Sequence, residues 1–474
     1  MFSKFKTLFG AQDMTVGKPF SCLLRFAIPL LIGNIAQLLY TTADAAVVGR
    51  YMGELGDTAL AAVGASMPPY SIFLVLFMGI GSGVTVMVSQ YFGAKDNENL
   101  SVSIGNSITM IAIASVFITV VATPLTNSLL GLVNTPAAAV EMAKTYLMIL
   151  FLGSIGSGFY NCLSGILRGL GESVFPLIVL IVTVILNIGL DIFFVAGLGM
   201  GVTGAAVATI IAQFLAAIVC MIKVMKMREV FVIDATALRP VRRIVGQIIN
   251  LGGPNALSMG VMFASTLFVQ ALVNSMGPLV LTTITVTQRV DAFAVIPSMT
   301  FQVVASTYTG QNIGADDMDR VKQGAKTVML MCFIFTAVML TCMLLFGRNM
   351  LGLFTRTEAV INMSMNFIRI MSPAYLTMTV SGILMGVMRG AGDAIGPMWI
   401  ALFNNVIMRV PLSYLIAHLT KSDENPNGHP NSVYLSLLIA MIIGCGITLL
   451  YYRAGKWRDK AITGKNSDLS FDII

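Results

Sequence analysis

The chain has 474 residues, 56% of them hydrophobic and only 11% charged, with a formal net charge of +7. Soluble globular domains carry about a quarter charged residues, so this composition excludes that class. Six cysteines, none in a CxxC pair and all but Cys22 well inside apolar runs, indicate neither a disulfide framework nor a metal site, and His418 and His429, the only histidines, suggest nothing catalytic.

The chain starts on a basic, mildly amphipathic segment, "MFSKFKTLFGAQDMTVGKPF". The apolar run behind it is too long for a cleaved signal peptide and is read as the first span. Phe20–Val48, Ile104–Val121 and Pro176–Ala196 each approach or exceed the roughly 18–20 residues that a spanning helix needs. Division at charge clusters, glycines and prolines gives about twelve spans, centred near 35, 75, 112, 152, 184 and 214, then near 258, 294, 332, 373, 405 and 442. The fold expected is an all-α polytopic membrane protein. Alternate loops then differ sharply in charge: 21 of the 29 lysines and arginines fall on one side and 4 on the other. Such a bias sets orientation, with both termini in the cytoplasm.

The loop "EVFVIDATALRP" separates two halves that repeat. The expected domains are a six-helix bundle over 1–228, a cytoplasmic linker over 229–240, and a second six-helix bundle over 241–474. "GILRGLGESVFP" (165–176) matches "GVMRGAGDAIGP" (386–397), and "QYFGAKD" (90–96) matches "QNIGADD" (311–317), both at an offset of 221. Six is even, so both halves enter the membrane in one orientation. They are expected to be related by a pseudo-twofold axis along the membrane normal, with a cleft between them, a design used by secondary transporters.

Several stretches carry a family resemblance: "DAAVVGRYMGELGDTALAAVG", "SQYFGAKD" with its echo "TGQNIGADD", "LRGLGESVFP" with "MRGAGDAIGP", and "NIGLD" leading to "GLGMGVTGAAVAT". On these the sequence resembles the multidrug and toxic compound extrusion (MATE) family over nearly its whole length. The resemblance implies cation-driven export of amphipathic, often cationic organic compounds, a location in the cell (inner) membrane, and an ion site in the N-terminal bundle. NorM-like members also carry acidic residues in spans seven and ten. Here span seven has Asn255, Gln270 and Asn274, and span ten only Arg369, so the chain looks more like the DinF-like and MepA-like branch.

Asp44 sits near the outer end of span one, with Asp191 and Asn187 near that of span five and Thr209 in span six. At 1.5 Å per residue their depths are all on the order of 8–12 Å. Asn187 and Asp191 share a face at i,i+4 spacing. In the resembled family the matching positions form a cation site, which carries over to Asp44, Asn187, Asp191 and Thr209. Oxygen ligands suit a hard ion, and carboxylates also suit a proton. Two neighbouring buried carboxylates do not both stay ionised. The coupling ion is therefore H⁺ or Na⁺, with the same four residues as metal ligands if it is Na⁺, and no other cofactor is expected. The competing reading makes Asp44 and Asp191 snorkelling or paired structural carboxylates, although charge inside a span is costly and commonly functional.

Other candidates are weaker. Arg289 and Asp291 in span eight do not face each other at i,i+2; one of them lines the cleft, or both pair with other helices. Arg409 shares a helical face with Asn405 and either pairs with a carboxylate or takes part in coupling directly. Met259, Met262, Met276 and Met299, with Gln288, are expected near the cleft, where flexible polarizable walls suit varied substrates. Gln37 and Tyr40 are candidate polar contacts in span one. Gly79, Gly81, Gly83, Gly153, Gly156 and Gly158 are read as sites of close helix approach. Gly199, Gly201 and Gly204 spell G-x-G-x-x-G but join two membrane helices, where a dinucleotide fingerprint follows a strand.

No catalytic residue is expected: HExxH, GxSxG and ATP-binding motifs are absent from the sequence. The function expected is a multidrug efflux antiporter working by alternating access and contributing to antibiotic resistance. It is expected to act as a monomer on small-molecule drugs in the lipid bilayer, without nucleic acid. The alternative is a lipid-linked oligosaccharide or lipid flippase of related two-bundle fold, which favours a more cationic cleft than Arg289, Arg369 and Arg409 provide. A channel has no need of the paired repeat.

Overall fold

A computed structural model describes residues 11–51, 56–133, 135–423 and 425–463, with backbone alone for 38–48 and 50. Uninterrupted apolar sequence allows only helices here, because in lipid each backbone polar group must be satisfied within its own segment. The first half contains α1 (Pro19–Tyr51), α2 (Gly56–Gly93), α3 (Asn97–Leu132), α4 (Val140–Leu152), α5 (Ser154–Gly169), α6 (Val174–Asp191) and α7 (Gly201–Lys226). The second contains α8 (Arg242–Ser275), α9 (Pro278–Gly314), α10 (Met318–Gly352), α11 (Glu358–Gly390), α12 (Ile395–Leu402), α13 (Val410–Leu419) and α14 (Asn431–Ala454). Eleven of these helical runs are long and apolar enough to cross a membrane, and α4 with α5 makes a twelfth span bent by 48°. The bend falls at Gly153, against which the Ile210 side chain packs. All twelve expected centres lie inside these spans, and the chain is an all-α, multi-pass membrane protein of two helical bundles.

The chain divides into two compact units: residues 1–14, 28–256 and 462–474 in the first, and 15–27 with 257–461 in the second. The 229–240 segment is part of the first unit and is pinned to α3. Asn106 Nδ2 donates to the carbonyls of Ala237 and Arg239, both at 3.0 Å, and its Oδ1 accepts from Val241 N at 2.7 Å. The start of α8 is held there too, by Arg243 Nη2 donating to Asn99 Oδ1 at 3.2 Å and Asn255 Nδ2 to Ser82 Oγ at 2.7 Å.

The internal repeat extends to backbone detail. Lys95 and Asp316, matched across the repeat, are the two non-glycine residues with positive φ among those described, at 56° and 57°. Each is followed by an aspartate that caps the next helix: Asp96 Oδ1 accepts from Asn99 N at 3.0 Å, and Asp317 Oδ1 from Arg320 N at 2.9 Å. Gly171 and Gly392, also matched, have φ of 80° and 98°, a region that side chains disfavour. The acids behind them are buried caps. Glu172 Oε1 accepts from Val174 N and Phe175 N, both at 3.0 Å, and Asp393 Oδ1 accepts from Gly396 N at 3.0 Å.

Close helix approach repeats as well. A Cβ on Gly165 would meet the Gly81 carbonyl oxygen, and one on Gly386 that of Gln302. Four residues on, Gly169 faces the Thr85 carbonyl and Gly390 that of Ser306. Small residues are how helices gain van der Waals contact where no hydrophobic drive exists between them. Gly79, Gly81, Gly83, Gly153, Gly156 and Gly158, expected from sequence to do this, all meet another helix within 3.0 Å of an added Cβ.

Candidate functional site

In the first unit, α6 carries Thr183, Asn187 and Asp191 at successive i,i+4 positions, and all three are buried. Asn187 and Asp191 have no exposed surface. With the Asn187 amide oriented by its neighbours, Nδ2 donates to Asp191 Oδ2 at 3.0 Å and Oδ1 accepts from Thr209 N at 3.3 Å. The amide end also lies 3.5 Å from the Thr209 hydroxyl. Three of the four residues expected at one depth therefore form a connected cluster. A π-helical turn, Ile192–Gly197, follows Asp191 directly; such turns break the regular hydrogen-bond ladder and are frequent at functional sites. Asp44 lies on α1 and Tyr40 one turn before it, but their side chains are outside the described residues. Gln37, also on α1, is exposed.

The second unit holds a different chamber, a cavity of about 80 Å³ lined by five aliphatic side chains together with Asp291 of α9, Arg409, Tyr434 of α14, and Thr266, Gln270 and Gln288. The Tyr375 hydroxyl of α11 donates to Asp291 Oδ1. Arg289, two residues from Asp291, instead places its guanidinium 5.7 Å from the Phe354 ring. The i,i+2 spacing had already set these two on different faces.

Arg409 closes a second π-helical segment, Phe403–Arg409. Hydrogen bonds there run i→i+5, which widens the turn locally. Asn405, expected to share Arg409's face, donates to the Ala401 carbonyl at 2.9 Å. Among the described residues, ion pairs within 4.0 Å are Lys322–Asp319 and Arg348–Glu358, so Arg409 has no carboxylate partner at that distance. Met259 and Met262 on α8 are half-buried and Met299 on α9 is exposed. None of these methionines lines the chamber.

Sequence reasoning passed over Tyr375 and Tyr434. Their relation to Asp291 crosses from α9 to α11 and α14, and no spacing within one helix carries that signal. Among the described residues there is no group of three or more His, Cys, Asp and Glu able to hold a metal.

This fold and these buried polar sites define a multi-pass membrane protein of the transporter kind. The MatE family profile matches residues 29–193 and 254–415, and the chain belongs to that family. It is 27% identical to "Probable multidrug resistance protein YoeA" of Bacillus subtilis over 447 residues, covering 92% of this chain and 94% of that one. It is 21% identical to "Multidrug export protein MepA" of Staphylococcus aureus (strain MRSA252), over 84% of this chain and 87% of that one. Among solved structures, "Outward-facing conformation of a multidrug resistance MATE family transporter of the MOP superfamily" superposes with a TM-score of 0.86 at 24% identity, covering 94% and 97% of the two chains. A transporter from Pyrococcus furiosus, described by "reverse polarity of binding pocket", fits equally well, with a TM-score of 0.86 at 24% identity. At that identity the structural likeness speaks for the fold.

Proposed function

We propose that this protein is a cation-coupled multidrug efflux antiporter of the cytoplasmic membrane, with both termini inside and a monomer as the working unit. Asp44, Asn187, Asp191 and Thr209 bind H⁺ or Na⁺. Amphipathic, often cationic compounds leave the cell by alternating exposure of their binding residues to the two sides. The observation that carries this reading is the buried Asn187–Asp191–Thr209 cluster. A carboxylate without exposed surface, held by an amide, is expensive inside a membrane unless it trades its charge with an ion. Family membership and the names of the relatives point the same way.

The cycle follows from that charge. An ion arriving from outside neutralises the cluster, drug affinity falls and drug leaves; the return step releases the ion inside. One charge moving down 100 mV yields roughly 2.3 kcal/mol, which sustains about a fiftyfold gradient of an uncharged drug; exchange for a singly charged cation is electroneutral and draws on the ion's concentration gradient instead.

Dye efflux from everted vesicles under imposed pH or Na⁺ gradients tests the proposal. Asp191→Asn and Asp44→Asn are expected to abolish gradient-driven efflux while the proteins still insert. Parent-like pumping by both variants, or a parent rate untouched when both gradients are collapsed, overturns it.

A further inference from the structure

The chamber in the second unit has no part in the proposed ion cluster, and its chemistry is unusual. Asp291 and Arg409 line the same cavity of about 80 Å³, yet they are not within 4.0 Å of each other. Arg409 Nε is buried and has no hydrogen-bond partner among the described residues. An unmade hydrogen bond on a buried charged donor is costly, and such groups are rare in native proteins unless water, a ligand or an ion completes them. A guanidinium stays protonated and its fork matches a carboxylate bidentately. Asp291 has one oxygen occupied by the Tyr375 hydroxyl. Its opposite charge faces the same space.

A lone cation in that space would satisfy Asp291 and be repelled by Arg409, and a lone anion would meet the reverse. A ligand that carries both charges satisfies both walls. The cavity is small but exceeds the roughly 10–15 Å³ that a single water needs on the same measure, so it has room for a small solute. Drug-sized pockets run about 300–1,000 Å³. The wall also offers the Gln288 amide, with Thr266, whose hydroxyl already donates to the Met262 carbonyl at 3.0 Å, and Gln270, whose Nε2 is committed to Asn274 Oδ1 at 3.0 Å.

We propose that the Asp291–Arg409 chamber is a binding site for a small zwitterion of the amino-acid class, its carboxylate on Arg409 and its ammonium on Asp291. The inference does not depend on the ion-coupling proposal, because it is read by binding alone. The probes are glycine and L-alanine, against acetate, chloride and methylammonium, titrated calorimetrically into the purified full-length chain in nanodiscs. Saturable binding of glycine or alanine is expected, at least tenfold tighter than that of any single-charge probe. Arg409→Gln and Asp291→Asn are expected to remove it, and Arg409→Lys, which keeps the charge without the fork, to weaken it about tenfold. Comparison of the probes on the parent protein needs no variant to fold. Equal or tighter binding of acetate or chloride would mark an anion site, and of methylammonium a cation site. Either result, no saturable binding of any probe, or full glycine binding by a folded Arg409→Gln protein overturns the proposal.

Discussion

Glu172 shows how one side chain can carry both structure and pH dependence. It is 1% exposed and lies in the turn between α5 and α6, where Oε1 caps the first two N–H groups of the helix that bears Asn187 and Asp191. Burial pushes its carboxyl above the ordinary value, while the two N–H bonds and nearby Lys223 pull the other way. For an acid raised by folding, the ionised form is the costly one. Its contribution to stability is whole below the unfolded value near 4.5 and shrinks as pH rises through the folded value. Glu172→Gln keeps an acceptor for the cap and removes the buried charge. Thermal unfolding in detergent is therefore expected to show the variant above the parent at pH 8, with the gap closing toward pH 4.5. Glu172→Ala loses the cap as well, at a cost of about 1 kcal/mol, and should fall below Glu172→Gln at every pH.

At the scale of elements, the sequence revealed spans better than sites. Hydropathy and charge marked twelve centres because lipid leaves a segment few alternatives to a helix. The Asn187–Asp191 face was legible because α6 keeps regular 3.6-residue periodicity up to Asp191. The π-helical segment Phe403–Arg409 was not legible, because nothing in "FNNVIMR" announces it. The bend between α4 and α5 was hidden too: Gly153 read equally well as a packing site, which it also is. Glycine contacts divide substitutions by sign. At Gly386 an added Cβ falls on the Gln302 backbone oxygen, whereas at Gly446 of α14 nothing lies within 4 Å. Gly386→Leu is expected to collapse the yield of monodisperse protein in size-exclusion chromatography. Gly446→Ala is expected to raise the unfolding midpoint slightly, since alanine is worth up to about 1 kcal/mol over glycine inside a helix.

For the whole molecule, the proposed orientation rests on loop charge, and reporter fusions test it. A fluorescent protein fused at the C-terminus is expected to fluoresce. Alkaline phosphatase joined after Met200, in the short turn between α6 and α7, should be active, and joined after Asp234 it should be silent. The reverse pattern would invert the molecule and place the proposed ion cluster near the inner surface.

The matched turns show how far the likeness of the two halves reaches. A non-glycine residue held at positive φ is uncommon. Lys95 and Asp316 share that conformation, the aspartate behind it and the cap it makes. The two halves therefore share one local plan at a fixed spacing of 221 residues, down to the turn that ends one helix and the acid that starts the next. What the shared plan does not repeat is the charge it carries: acid in one half, base beside acid in the other.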